Sequence, residues 1–418
     1  MSYSCERMNE RHCSRPCIHQ QMDRNRNSYN DDDNDITCQQ EGECYQQLWW
    51  RYLIGSVKME LLPLLREQMR CTSRIRRRNR FVRPVVVGAA VVLVSVWVVV
   101  PVVYRASPSL QRFFIFLNKV GNDVNLSRPE NLGLPGTRSF HLNTDDDVTV
   151  GVWHILPESL INSAPEEDPT DRDTWFEASL ADTRPIVLYL HGNKGSRGQP
   201  HRIDTYTMLR RQDYHVIAFD YRGYADSSPV TPSETGLVAD TKAMLAYLQS
   251  KSGRSPIIVW GHSLGTGVSC HAVADVCGQL KCPQALILEA PFNNIRDEVK
   301  LNPLSQLFHY LPYFDWAFVQ PLKSIDAEFK SDAHIPKITC PILILHAQDD
   351  NIVPVQLGRK LERAARRGRP PEAGVVKFVE VDGKLGLGHN HINHSPLVPA
   401  LVREFIDKAV SDTRTRNF

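Results

Sequence analysis

The pentapeptide Gly261-His262-Ser263-Leu264-Gly265 carries residue types suited to covalent catalysis in the spacing G-x-S-x-G. A serine hydroxyl is a poor nucleophile at neutral pH. Acyl transfer by Ser263 therefore needs a general base, a carboxylate to orient that base, and fixed N–H donors for the oxyanion. The chain supplies candidates in the order serine, acid, histidine: Asp349 and Asp350, then His389, His391 and His394 on a glycine-rich stretch. The backbone N–H of Leu264, directly after the serine, and that of Asn193 in His191-Gly192-Asn193 are the candidate oxyanion donors. Three crowded histidines also resemble a metal cluster. No acidic partner stands at ligand spacing to them, so no metal and no other cofactor is expected.

The elements around these residues explain why they can act together. Ile257-Ile258-Val259-Trp260 reads as a buried strand that ends abruptly at Gly261, and small and apolar residues continue as a helix toward Val273. A serine on such a turn adopts a strained backbone, and glycines two before and two after remove side chains that would clash. The acid candidates follow the apolar run Ile342–Leu345, and the histidines follow Val375–Val381. Further strand runs are Ser139–Leu142, Val148–Ile155, Ile186–Leu190, His215–Phe219 and Ala285–Leu288, with helical patterns between them at Glu234–Gln249 and Gln356–Ala365. Alternating strand and helix implies an α/β fold, a mostly parallel central sheet flanked by helices. The polar, acidic stretch Pro157–Pro185 reads as an insertion, and Arg222, in Asp220-Tyr221-Arg222-Gly223, as a residue that orders loops.

Composition bounds the rest. A net charge of +2 on 418 residues offers no electrostatic footprint for nucleic acid. Residues 1–83 form a largely polar tail with Asp31-Asp32-Asp33-Asn34-Asp35, expected to be disordered apart from a possible juxtamembrane helix over Tyr45–Met69. Val85–Val103 has nineteen residues, no charge and twelve valines. At ~1.5 Å per residue such a helix reaches the ~30 Å of a hydrocarbon core, so one transmembrane helix is expected over 84–104. Arg74, Arg76, Arg77, Arg78, Arg80 and Arg83 precede it, which predicts a cytosolic N-terminus and a luminal or extracellular domain over 105–418. Asn125-Leu126-Ser127 is then an exposed glycosylation sequon, whereas Asn393-His394-Ser395 is followed by Pro396. Of the ten cysteines most read as free thiols, with a Cys277–Cys282 bridge possible in a luminal setting. The apolar knot Phe113-Phe114-Ile115-Phe116 fits either core packing or the membrane interface.

Together these residues resemble the α/β-hydrolases, in which D-x-x-V-P is the usual spacing at the acid loop. That favours Asp350, in Asp350-Asn351-Ile352-Val353-Pro354, over Asp349. The base is then His389, directly after Gly388. The stretch between the sixth and seventh strands usually holds a cap in that fold. Here residues 291–336 carry Phe292, Leu307, Phe308, Tyr310, Tyr313, Phe314, Trp316 and Phe318, which either line an acyl pocket or pack on the sheet. The blocks Leu188-Tyr189-Leu190-His191-Gly192-Asn193, Trp260 through Val268, Phe314-Asp315-Trp316 and Val355-Gln356-Leu357-Gly358-Arg359-Lys360 are similar to the α/β-hydrolase domain-containing protein 12 family, including its B-type relatives. The resemblance covers Asp147 to Asp407; Leu387–His391 departs from the family's bulkier, more basic stretch. It implies a single-span glycoprotein of the endoplasmic reticulum membrane whose luminal serine hydrolase acts on lysophosphatidylserine and monoacylglycerol, with Ser263, Asp350 and His389 as its triad. A lipid substrate and the membrane are the partners implied. A thioesterase or peptidase with the same triad, or a membrane-anchored scaffold without turnover, are the alternatives.

Overall fold

The computed structural model describes residues 82–416 except 122–123, 145–146, 166–168 and 280–281. The expected disordered tail and the possible helix over Tyr45–Met69 lie outside the described residues. The valine-rich segment forms one helix, α1 (Arg83–Ala106), long and apolar enough to cross a membrane, with side chains such as Val85, Val91, Leu93 and Val98 exposed. Valine's strand preference is overridden by a run far longer than any strand. Pro101 has no N–H to offer the Trp97 carbonyl four residues back, and that carbonyl accepts instead from the hydroxyl of Tyr313.

A second helix, α2 (Pro108–Phe116), follows a kink in which the Ser107 hydroxyl caps the Leu110 N–H. It divides the apolar knot: Ile115 and Phe116 enter the core, while Phe113 and Phe114 remain exposed. The sheet contains eight strands: β1 (Thr137–Asn143), β2 (Thr149–Ile155), β3 (Ile186–Leu190), β4 (His215–Phe219), β5 (Ile257–His262), β6 (Ala285–Glu289), β7 (Ile342–Ala347) and β8 (Val376–Val381). Their spatial order is β1-β2-β4-β3-β5-β6-β7-β8, with β1 and β2 antiparallel to their neighbours and the remainder parallel. This is the mostly parallel α/β sheet expected from the strand–helix alternation, in the α/β-hydrolase arrangement that the resemblance implied.

The central strands bury both faces, and their side chains alternate between two cores. Ile186, Leu188 and Leu190 point to one, Val187 and Tyr189 to the other. The first face is covered by α5 (Glu234–Lys251), α6 (Leu264–Gln279) and α8 (Val355–Gly368); the second by α4 (Pro200–Arg210) and α9 (Val398–Arg416). The stretch read as a polar insertion is partly helical. It contains α3 (Pro169–Ser179), whose Phe176 is fully buried and packs edge-on against His154. Composition hid this because α3 presents few apolar residues besides Trp175 and Phe176. Arg222 pairs in the interior with Asp240 on α5, Nη2 to Oδ1 at 2.8 Å, and so ties the loop after β4 to a helix. Cys277 and Cys282 form a disulfide, whereas Cys270 and Cys340 are free and buried.

The segment between β6 and β7 forms α7 (Ile295–Leu301) and several short turns. Its aromatic residues pack largely against the end of α1. Phe314, Ala317 and Phe318 cluster with Tyr104, and Trp97 meets Phe308 edge-on at 5.6 Å. The Arg105 guanidinium lies over Trp316, 4.4 Å from the ring centroid, and donates to that residue's carbonyl.

Candidate active site

Every residue singled out for chemistry lies beyond the C-terminal end of a parallel strand, the edge where open α/β sheets bind ligands. Ser263 joins β5 to α6 with φ +52°, a left-handed conformation unusual for serine. Close approach explains the flanking glycines. A Cβ on Gly261 would lie 2.5 Å from the Gly265 carbonyl oxygen, and one on Gly265 would lie 2.1 Å from that of Leu190. The turn is pinned from the neighbouring strand by the Ser263 N–H, which donates to the Glu289 carbonyl at 3.0 Å.

Asp350 and His389 come together although 39 residues apart, with His389 Nδ1 2.7 Å from Asp350 Oδ2. Asp350 is buried, and its other oxygen accepts the Ile352 and Val353 N–H groups at 2.9 and 2.8 Å. Burial alone would push this carboxyl up. Hydrogen bonds and charge from His346 and His389 outweigh it and hold Asp350 well below the usual carboxylate range. Asp349 faces the same loop differently, accepting the Gly388 N–H at 3.0 Å and so shaping the chain that carries His389. Among the described residues Ser263 and His389 share no hydrogen bond. Such bonds are commonly long before substrate enters.

The loop after β3 closes on Ser263. A Cβ on Gly192 would stand 3.2 Å from that of Ser263. The Asn193 side chain is anchored to the Ile115 carbonyl at 3.2 Å, and its backbone N–H has no acceptor among the described residues. Leu264 opens α6, where a backbone N–H has no partner within the helix. Two donors are thus available beside Ser263.

Residues 185–301 match the alpha/beta hydrolase fold family. The chain is 42% identical over 315 residues to the rat protein named lysophosphatidylserine lipase ABHD12, covering 75% of this chain and 78% of that one. The chain belongs to the ABHD12 family. Human protein ABHD12B is 35% identical over 68% of this chain and 76% of its own length. Among solved structures, an alpha-beta hydrolase from Vibrio vulnificus superposes with a TM-score of 0.50 at 17% identity, over 72% of this chain and 91% of that one, a likeness of fold. This ABHD12-family chain is an ester hydrolase.

Several residues that position this site escaped the sequence motifs. His262, next to Ser263, donates from Nε2 to the His389 carbonyl at 3.0 Å. Burial, reinforced by the charge of His389, pushes its pKa far down, so it serves as a neutral tether. His346 is fully buried, donates to the Val353 carbonyl at 2.8 Å, and brings Nε2 within 3.3 Å of Asp350 Oδ2. Arg202, buried on α4, gathers the carbonyls of Gly192, Lys194 and Ser196, which fixes the loop bearing Asn193. A lone arginine on a helix carries no sequence signal for that task. The remaining histidines also gain an unforeseen partner. Asp204 of α4 meets His394 at 3.0 Å and gathers with His391, so the acidic neighbour missing along the chain is supplied through space. All three are exposed.

Proposed function

We propose that this protein is a membrane-anchored serine hydrolase that cleaves acyl esters of lysophosphatidylserine and monoacylglycerol through Ser263, His389 and Asp350. Residues 1–83 form the cytosolic tail, 84–104 the span, and 105–418 the catalytic domain in the lumen of the endoplasmic reticulum, with residues 291–336 as cap. The observation that carries this reading is the Asp350–His389 pair at 2.7 Å on the same sheet edge as a serine held at φ +52°.

Asp350 holds the proton of His389 on Nδ1, leaving Nε2 free to take the proton of Ser263. Ser263 Oγ then bonds to the ester carbonyl carbon, and the N–H groups of Leu264 and Asn193 receive the oxyanion. The tetrahedral intermediate collapses, the glycerol oxygen leaves with the proton from His389, and the acyl group remains on Ser263. Water, deprotonated by His389, releases the fatty acid and restores the serine.

The exposed span α1, the aromatic packing of the cap against its end, and the names of the ABHD12-family relatives support a lipid substrate reached from a bilayer. The Cys277–Cys282 disulfide supports an oxidising compartment. The test uses membranes containing wild-type protein or Ser263→Ala, assayed against a panel of lysophospholipids, monoacylglycerols, acyl thioesters and peptides. Ester cleavage that disappears in Ser263→Ala, together with fluorophosphonate labelling of the wild type alone, is expected. Equal labelling of the variant would exclude the mechanism, and preferred thioester or peptide turnover would move the substrate class. An unaltered cellular phenotype in Ser263→Ala would point to a scaffold.

A further inference from the structure

Outside the hydrolytic site, three side chains from three separate elements meet beside α6. Glu234 is the first residue of α5 and is buried. His271 lies on α6, two turns beyond the nucleophile. His334 ends the short helical turn Ser331–His334, where the cap segment returns toward β7. The two imidazoles are stacked, with centroids 3.9 Å apart and planes inclined by 19°. His271 Nδ1 lies 2.8 Å from Glu234 Oε1. One ring nitrogen of each histidine and one oxygen of Glu234 all fall within 4.8 Å of one another.

Two features set this group apart from a surface ion pair. Nδ1 of His334 is buried and has no hydrogen-bond partner, so His334 retains unused ligand capacity in a place where an unpaired nitrogen is unfavourable. The second oxygen of Glu234 accepts the Phe329 N–H at 2.6 Å, the kind of supporting bond that orients a ligating carboxylate. The other histidine cluster, Asp204-His391-His394, is exposed on all three members, and its His394–Asp204 contact is a solvated surface pair.

We propose that Glu234, His271 and His334 form a site for a divalent transition metal of the zinc class. Two imidazole nitrogens and one carboxylate oxygen suit zinc and its neighbours, whereas calcium and magnesium favour all-oxygen shells. Tetrahedral ligands about 2.0–2.1 Å from zinc stand about 3.4 Å apart and hold the ion in each ring plane, so closing on it requires the two stacked imidazoles to tilt out of their near-parallel arrangement, with water completing the shell. The ion would fasten the returning end of the cap to the helix that follows the nucleophile. One turn earlier on α6, a Cβ on Gly267 would meet Phe292 at 2.8 Å and Phe329 at 3.0 Å, so both ends of the cap segment press on this helix. None of the three ligands belongs to the hydrolytic machinery.

The test takes full-length protein in detergent, stripped with a chelator, and titrates it with Zn²⁺ by calorimetry and with Co²⁺ by visible absorption. Thiols elsewhere also take zinc, so the readout is the difference between wild type and variants. His271→Asn and His334→Asn are each expected to bind one equivalent fewer, and to lose both the four-coordinate Co²⁺ band and the Zn²⁺-induced rise in Tm. Their hydrolysis should stay near wild type. The double variant His391→Asn/His394→Asn should retain all three signals. The two single substitutions lie on different elements, so either one that folds decides the matter. Unchanged stoichiometry in either single variant, loss confined to the double variant, or no zinc binding by the wild type would overturn the site.

Discussion

Replacing Asp350 by asparagine tests the hydrolytic geometry with almost no change in volume. The carboxylate divides its work between two oxygens: Oδ1 accepts the Ile352 and Val353 N–H groups, and Oδ2 faces His389 Nδ1 at 2.7 Å. An asparagine carbonyl would stay with the two backbone donors, which turns its NH₂ toward His389. Nδ1 must then accept, so the imidazole proton moves to Nε2, where it blocks uptake of the serine proton. A triad held in the wrong tautomer loses about 10⁴-fold in kcat, equivalent to about 5 kcal/mol of transition-state stabilisation. Asp349→Asn should cost less than about tenfold, because an amide oxygen can still accept the Gly388 N–H that Asp349 holds at 3.0 Å. The assay is single-turnover hydrolysis of lysophosphatidylserine by matched membranes, with circular dichroism of purified protein as a folding control. Near-wild-type turnover by Asp350→Asn, or the larger loss in Asp349→Asn, would refute the assignment.

Other expectations follow from the same geometry. Gly265→Ala places a Cβ 2.1 Å from the Leu190 oxygen, a backbone clash no rotamer relieves, so destabilisation should exceed the ~1–3 kcal/mol typical of overpacking; a thermal melt within a degree of wild type would contradict this. Glu289 is buried beside Ser263, and that burial, aided by the charge of Asp350 and opposed by the Trp260 N–H, pushes its pKa up to about 7 from 4.5. The folded state keeps this proton between pH 4.5 and 7, and above pH 7 the buried charge costs about 3 kcal/mol. Glu289→Gln should therefore gain urea resistance over wild type at pH 8 and lose most of that advantage at pH 5; an equal gain at both would reject the titration. Asn125 is exposed and its Oδ1 accepts the Ser127 hydroxyl at 2.7 Å, whereas Asn393 is buried. Asn125→Gln should remove the single glycan shift that glycosidase treatment reveals on a gel, and a remaining shift would assign glycosylation elsewhere.

The eight strands were readable because each central one is a short apolar run between turn residues, and burial on both faces leaves no other use for such runs. The helix α3 was not readable. Its sequence, PTDRDTWFEAS, buries one large side chain and has too little periodicity to announce a face. The aromatic residues between β6 and β7 were legible as needing cover, but what covers much of that surface is α1, about two hundred residues earlier in the chain. Sequence distance gives no hint of that pairing. The Tyr313 hydroxyl bound to the carbonyl that Pro101 leaves free shows how specific it is.

For the site, the amino-acid sequence by itself determined the glycine-flanked turn at Ser263, the chain order of the serine, acid and histidine candidates, and the length of the apolar span. Each depends on local sterics or on composition along a single stretch. Only the tertiary structure brought Asp350 against His389 and set Asp349 to brace its loop. The D-x-x-V-P spacing favoured Asp350 by resemblance, but the two carboxylates are adjacent, and which of them faces β8 depends on the turn after β7. Tertiary structure alone also recruited His262, His346 and Arg202 and brought Glu234, His271 and His334 together. Such contacts arise between elements distant in the chain, and nothing local to any one of them specifies its partner.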